Sequence, residues 1–123
     1  MKEKKKILIA EDNEFLGKTI EEYLKDNGYI VDISENGEDA LKKMRKNKYN
    51  VVLLDLIMPK MNGFEVLVSL QKSKEKMPPI VVFSNLSQEE DEKNILELGA
   101  KACLVKHNIA LEELVGIVEK YSE

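Results

Sequence analysis

At 123 residues the chain has the length of one ordinary domain, 1–123, and a hydrophobic fraction of 43% is enough for a packed core. Charged residues reach 34% with both signs interleaved, and the net charge of −4 argues against non-specific attachment to nucleic acid or anionic membranes. No apolar run approaches the roughly 18 residues of a membrane span, and a single cysteine, Cys103, excludes an internal disulfide and fits a reducing, cytoplasmic setting.

In chain order, the basic run from Lys2 to Lys6 reads as a solvated chain end rather than a phosphate-binding arm. The apolar stretch after it is too short for a secretory signal. Lys6–Ala10 is a short, β-branched-rich run, as expected of a strand buried on both faces of a parallel sheet. Leu16, Ile20, Tyr23 and Leu24 then share one helix face, and Gly28 stops that helix. Ile30–Ile33 is a second strand whose interior Asp32 points to an edge position. Asn36 followed by Asp39 resembles a helix start, with Ala40, Leu41 and Met44 as the inner stripe.

Val51–Leu54 is the third strand, and Phe64, Leu67, Val68 and Leu70 mark the third helix, which the Lys-rich stretch and Pro78-Pro79 end. After the fourth strand, Ile80–Phe83, Ser87 with Glu90 three residues on predicts a capping box opening the fourth helix. Ala102–Val105 is the fifth strand, and Leu111, Leu114, Val115, Val118 and Tyr121 line the fifth helix. Five alternations of strand and helix predict a doubly wound α/β fold with helices on both faces of the sheet. With the second strand at an edge, the flavodoxin-like (βα)5 order 2-1-3-4-5 follows, with its ligand-binding switch point between strands one and three.

The polar residues at the carboxyl ends of these strands carry the chemistry. Strand one runs into Glu11-Asp12, strand three into Asp55, strand four into Ser84 and strand five into Lys106. Three packed carboxylates repel one another, and one lysine does not balance them, so a hard cation such as Mg²⁺ suits the cluster. Asp55 closes the central strand and is the candidate nucleophile for an aspartyl phosphate. Ser84 can donate to one phosphoryl oxygen, and Lys106 can pair with another.

These residues, with the stretch from Asp55 to Gly63 (DLIMPKMNG) and Leu98-Gly99-Ala100 before strand five, resemble the receiver domains of bacterial response regulators over essentially the whole chain. The resemblance is to stand-alone, chemotaxis-regulator-like members. It implies that Asp55 accepts a phosphoryl group from a sensor histidine kinase or histidine phosphotransfer protein. It further implies Mg²⁺ held by Asp12, Asp55 and the backbone carbonyl of Ile57, with Glu11 helping through water. Ser84 and Lys106 would read the phosphoryl group and alter the face of helix four, strand five and helix five, where an unknown downstream protein binds. The implied catalysis is confined to the domain's own phosphorylation and dephosphorylation, and neither nucleic acid nor membrane is an expected partner.

Several positions depart from the family's pattern. Lys106-His107 stands where Lys-Pro with a cis peptide is usual. A cis bond without proline costs about 2.5–4 kcal/mol, so a trans peptide is expected. Cys103 takes the place of the switch aromatic and reads as a small core-facing hydrophobe. With no ring at Cys103, the expected switch falls mainly on Ser84 and the loop Asn85-Leu86, and Asn85, where a very small residue is common, narrows the expected access to Asp55. Ile57 and Leu86, at positions that in the family govern the hydrolytic water, are both apolar and predict a long-lived phosphoryl group. Glu112, Glu113 and Glu119, together with Lys101-Ala102, weaken the case for the symmetric dimer of DNA-binding members.

Other classes fit less well. A flavin carrier needs a first loop that cradles phosphate, and Glu11-Asp12 repels one. An aspartate phosphohydrolase wants a second acid two residues after the nucleophile, where Ile57 stands. A pseudo-receiver that binds partners without phosphate is the remaining alternative.

Overall fold

The computed structural model describes residues 4–74, 76–85 and 89–122. Among them five strands and five α-helices alternate: β1 (Lys6–Ala10), α1 (Glu14–Asp26), β2 (Ile30–Ser34), α2 (Gly37–Lys46), β3 (Val51–Leu54), α3 (Gly63–Lys72), β4 (Ile80–Ser84), α4 (Glu89–Glu97), β5 (Ala102–Val105) and α5 (Leu111–Tyr121). A 3₁₀ turn, Lys106–Asn108, joins β5 to α5. The strands form one parallel sheet in the order β2-β1-β3-β4-β5, as an edge position for Asp32 requires.

The central strands are continuous apolar runs because helices cover both of their faces. Alternate residues serve opposite layers. Ile7, Ile9, Val51, Leu53, Val81 and Phe83 pack with Ile20 and Leu24 of α1 and Leu114 and Val118 of α5. Leu8, Ala10, Val52, Leu54 and Val82 pack with Ala40, Leu41 and Met44 of α2, Val66, Leu67 and Leu70 of α3 and Ile95 of α4. Each buried branched side chain contributes on the order of 1.5–3 kcal/mol, so the two layers hold the sheet rigid at its carboxyl edge.

Asparagines cap three helices. Asn13 accepts from Leu16 N–H at 3.0 Å and Asn36 from Asp39 N–H at 2.7 Å. Asn62 and Glu65 form a reciprocal capping box at the start of α3. The capping box predicted from Ser87 and Glu90 lies outside the described residues. Helix α3 stops at Lys72, and Lys74 turns left-handed at φ 54°. The Lys-rich stretch therefore ends the helix; the prolines instead lead into β4, where the Pro79 carbonyl accepts from Val52 N–H at 2.9 Å.

Gly63 has no substitute. A Cβ there would lie 2.5 Å from the carbonyl oxygen of Asp55, and the Gly63 N–H donates to the Leu56 carbonyl at 2.9 Å. The helix thus starts in direct contact with the loop that carries Asp55.

At the β2 edge, Asp32 accepts a hydrogen bond from the Tyr49 hydroxyl at 2.7 Å and pairs with Lys6 at 3.6 Å. Burial, then the Asp32 carboxylate, raise the Tyr49 pKa well above the ordinary tyrosine value. A raised pKa means that the neutral phenol's contribution is full below about pH 10 and is lost as pH rises through the folded-state value. Tyr49→Phe is expected to cost about 1 kcal/mol at neutral pH and to make the alkaline loss of stability shallower. Urea denaturation of both proteins across the alkaline range checks this.

Candidate functional site

The register of the sheet delivers the acidic residues to one place. Ala10 pairs with Leu54, and the Asp55 N–H donates to the Ala10 carbonyl at 3.0 Å, so β1 and β3 release their next residues side by side. On the other flank the Glu11 N–H donates to the Ser34 carbonyl at 2.9 Å. Carboxylate oxygens of Glu11, Asp12 and Asp55, one from each, all lie within 4.8 Å of one another. Glu11 is fully buried and Asp55 4% exposed, whereas Asp12 faces solvent.

Lys106 enters this cluster from the end of β5. Its Nζ forms an ion pair with Glu11 and lies 3.0 Å from Asp55 Oδ2. The ammonium also sits 5.2 Å from the centre of the Phe83 ring, a cation–π contact. Glu11 Oε2 accepts from the Asn13 N–H at 3.1 Å, and Asp55 Oδ1 from the Ile57 N–H at 3.3 Å. Burial alone would lower the Lys106 pKa, but the hydrogen bonds from its ammonium to Glu11 and Asp55 prevail and raise it. Burial pushes the Glu11 carboxyl up to about 7, with the Asp55 charge adding to it, against the pull of Lys106 and the Asn13 N–H.

Two buried acids and one exposed acid face a single lysine, which leaves the cluster short of positive charge. The donors are all oxygen and form one open group, the chemistry of a hard divalent cation rather than of zinc or copper. The residues therefore fit Mg²⁺.

Ser84 ends β4 and is buried at the same carboxyl rim, one strand from Asp55. Ile57 projects from the β3–α3 loop with 63% of its surface exposed. Leu86 lies outside the described residues. The Lys106–His107 peptide is trans, since the described residues contain no cis bond. Cys103 is half-buried against the α2–α4 layer, and burial pushes its thiol up, away from the reactive thiolate. The cation–π seat of Lys106 on Phe83 and the anchoring of Glu11 by the Asn13 amide are not apparent in the sequence. Both depend on a side-chain direction at the end of a strand.

Residues 7–119 match the family model of the response regulator receiver domain. The chain belongs to this family. It is 33% identical to the transcriptional regulatory protein RprY of Bacteroides fragilis over 119 residues, which covers 97% of this chain and 50% of that protein. Among solved structures, the receiver domain of Francisella response regulator 1452 superposes with a TM-score of 0.89 at 26% identity, covering 96% of each chain. The chemotaxis protein CheY4 of Vibrio cholerae gives 0.86 at 28% identity, covering 97% of this chain and 99% of that one. The receiver chain spans half or less of the length of curated relatives such as RprY and a gliding motility regulatory protein of Myxococcus xanthus, of which it covers 15%. Its flavodoxin-like fold is that of CheY-like receivers.

The raised Glu11 pKa has a consequence for stability. The protonated acid's contribution is full below the ordinary carboxyl range and is lost as pH rises through about 7. Glu11→Gln keeps an acceptor for Lys106 and the Asn13 N–H but removes the buried charge. In metal-free buffer above pH 7 it is expected to be about 1–3 kcal/mol more stable than the wild type. Mg²⁺ should raise the unfolding temperature of the wild type and raise that of the variant less. Thermal unfolding with Mg²⁺ and with chelator measures both effects.

Proposed function

We propose that this receiver domain is a phosphorylation-activated signalling switch, with Asp55 as its phosphoacceptor. The observation that carries this reading is the placement of Asp55 beside Glu11 and Asp12 with Lys106 bridging two of the three acids. The phosphoryl donor is a sensor histidine kinase or a histidine phosphotransfer protein. An Asp55 carboxylate oxygen attacks phosphorus, the bond from phosphorus to the donor's imidazole nitrogen breaks, and the imidazole leaves with the electron pair and takes up a proton. Asp12, Asp55 and the Ile57 carbonyl, with Glu11 acting through water, would hold Mg²⁺, which would supply charge neutralisation for the phosphoryl oxygens.

Lys106 exchanges its contact with Asp55 Oδ2 for a phosphoryl oxygen, which frees it from a carboxylate that has lost its charge. The Ser84 hydroxyl donates to a second phosphoryl oxygen. Their movement is transmitted to the face of α4, β5 and α5, where a downstream protein binds. The domain itself acts through protein contacts rather than nucleic acid or membrane, and no helix among the described residues is long and apolar enough to cross a bilayer. The lone half-buried thiol fits residence in the cytoplasm.

Incubation with acetyl phosphate and Mg²⁺ is expected to add one phosphoryl group, read by mass spectrometry, and chelation or Asp55→Asn should abolish it. Undiminished labelling of Asp55→Asn would refute the acceptor. Partner binding that ignores phosphorylation would favour a pseudo-receiver. Lys106→Ala should still be labelled while losing most of the amide shifts that phosphorylation induces in the wild type, as measured by NMR.

The lifetime of the phosphoryl group follows from its surroundings. The exposed apolar Ile57, together with Leu86, offers no hydrogen bond to align a hydrolytic water. The double variant Ile57→Asn, Leu86→Glu is expected to hydrolyse roughly 10- to 100-fold faster, at about 1.4 kcal/mol per decade. Decay of the isolated phosphoprotein, followed over minutes to hours, provides the comparison.

A further inference from the structure

Ser84 and Lys106 close neighbouring strands, and the last paired rung of β4 and β5 sets Ser84 opposite Val105. Just beyond that rung, side chains join the two loops: His107 Nδ1 lies 3.1 Å from Asn85 Oδ1. The residue after the hydroxyl thus holds the residue after the lysine. Both are positions at which this chain departs from its family's pattern, with Asn85 in place of a very small residue and His107 in place of proline. A proline ring would fix the backbone there. The trans Lys106–His107 peptide lacks that restraint, and the side-chain bond supplies another, running between the loops.

We propose that Asn85 and His107 form a positioning pair that fixes the spacing of Ser84 and Lys106, so that hydroxyl and ammonium meet the phosphoryl group on Asp55 as one unit. This rests on the reading of Asp55 as the phosphoacceptor. With the Asn85 amide oxygen as acceptor, the pair calls for a proton on ring Nδ1, which in the neutral imidazole is the Nδ1–H tautomer with Nε2 left as an acceptor. Ser84 is buried and Lys106 nearly so, while the pair lies exposed at the mouth of the site. An exposed bond between neutral groups shifts an equilibrium by about two- to tenfold, enough to tune the switch without being needed for folding.

The chain has one histidine, so its imidazole signals are unambiguous in NMR spectra. In the unphosphorylated protein, ring nitrogen shifts should report the Nδ1–H tautomer, and Asn85→Ala should abolish that preference. After treatment with acetyl phosphate and Mg²⁺, the amide shifts of Val105 and Lys106 report how far the phosphorylated protein has switched. Asn85→Ala and His107→Ala should each lower that equilibrium by about two- to tenfold, and the double variant should lower it no further. His107→Gln, whose side-chain amide can donate to the same oxygen, should recover much of the loss. An Nε2–H tautomer in the wild type, effects that multiply in the double variant, or a glutamine variant no better than alanine would each overturn the pair. A wild type that takes up no phosphoryl group would overturn the Asp55 reading and with it the pair's role; the two failures are told apart because the tautomer is measured without phosphate.

Discussion

The bridge from Lys106 to Glu11 and Asp55 is the interaction on which the rest of the site depends. Burying two carboxylates is unfavourable unless a cation compensates, and the resting protein uses its own lysine for this. The compensation is incomplete, since Glu11, Asp12 and Asp55 share the one ammonium of Lys106. A protein with a fully balanced cluster would have no use for a divalent ion. This one retains an imbalance that a divalent cation would relieve, and the packed layers on either side of the sheet offset its cost. Leu53, Leu54, Val81, Val82 and Phe83 are all buried, so the strand ends have little freedom to relax and spread the charges apart.

The parallel sheet makes such a cluster possible because every strand ends at the same edge. Ala10 against Leu54 and Ser84 against Val105 are successive statements of one register, and each places the next residue of the chain on the same rim. A change of one residue in any strand would turn its terminal side chain to the other face. The hydrophobic alternation that assigns Ile9 to one layer and Ala10 to the other therefore also fixes the positions of the reactive groups. Gly63 adds a local constraint: by admitting the Asp55 carbonyl where a Cβ would stand, it seats α3 directly against the loop that carries Asp55.

Most of this architecture is legible in the sequence. Runs such as Val51–Leu54 are continuous because they are buried on both sides, and Asp32 marks β2 as the edge strand through its need for polar partners, which Tyr49 and Lys6 supply. The convergence of Glu11, Asp12, Asp55 and Lys106 follows from topology alone. Other features are hidden. Asn62 and Glu65 have the spacing of a capping box, but the pattern sits inside a loop motif that masks it. The unequal burial of adjacent Glu11 and Asp12 depends on how the chain leaves β1, which composition does not encode. The bond between Asn85 and His107 links residues 22 positions apart through two loops, and no local periodicity reports a contact of that kind.

The same lysine that steadies the resting cluster would let the proposed switch operate. Before phosphorylation Lys106 is held by two carboxylates and by the face of Phe83. Phosphorylation of Asp55 would remove one full charge from that arrangement and place a dianionic group within reach of the same ammonium. The lysine would then trade one anionic oxygen for another, a change of partner alike in kind. Two states separated by a small difference can be biased by one covalent event, as population-shift reasoning requires. Lys106 opens the 3₁₀ turn Lys106–Asn108 that leads from β5 to α5, so a change of its partner would act directly on the connection between those two elements.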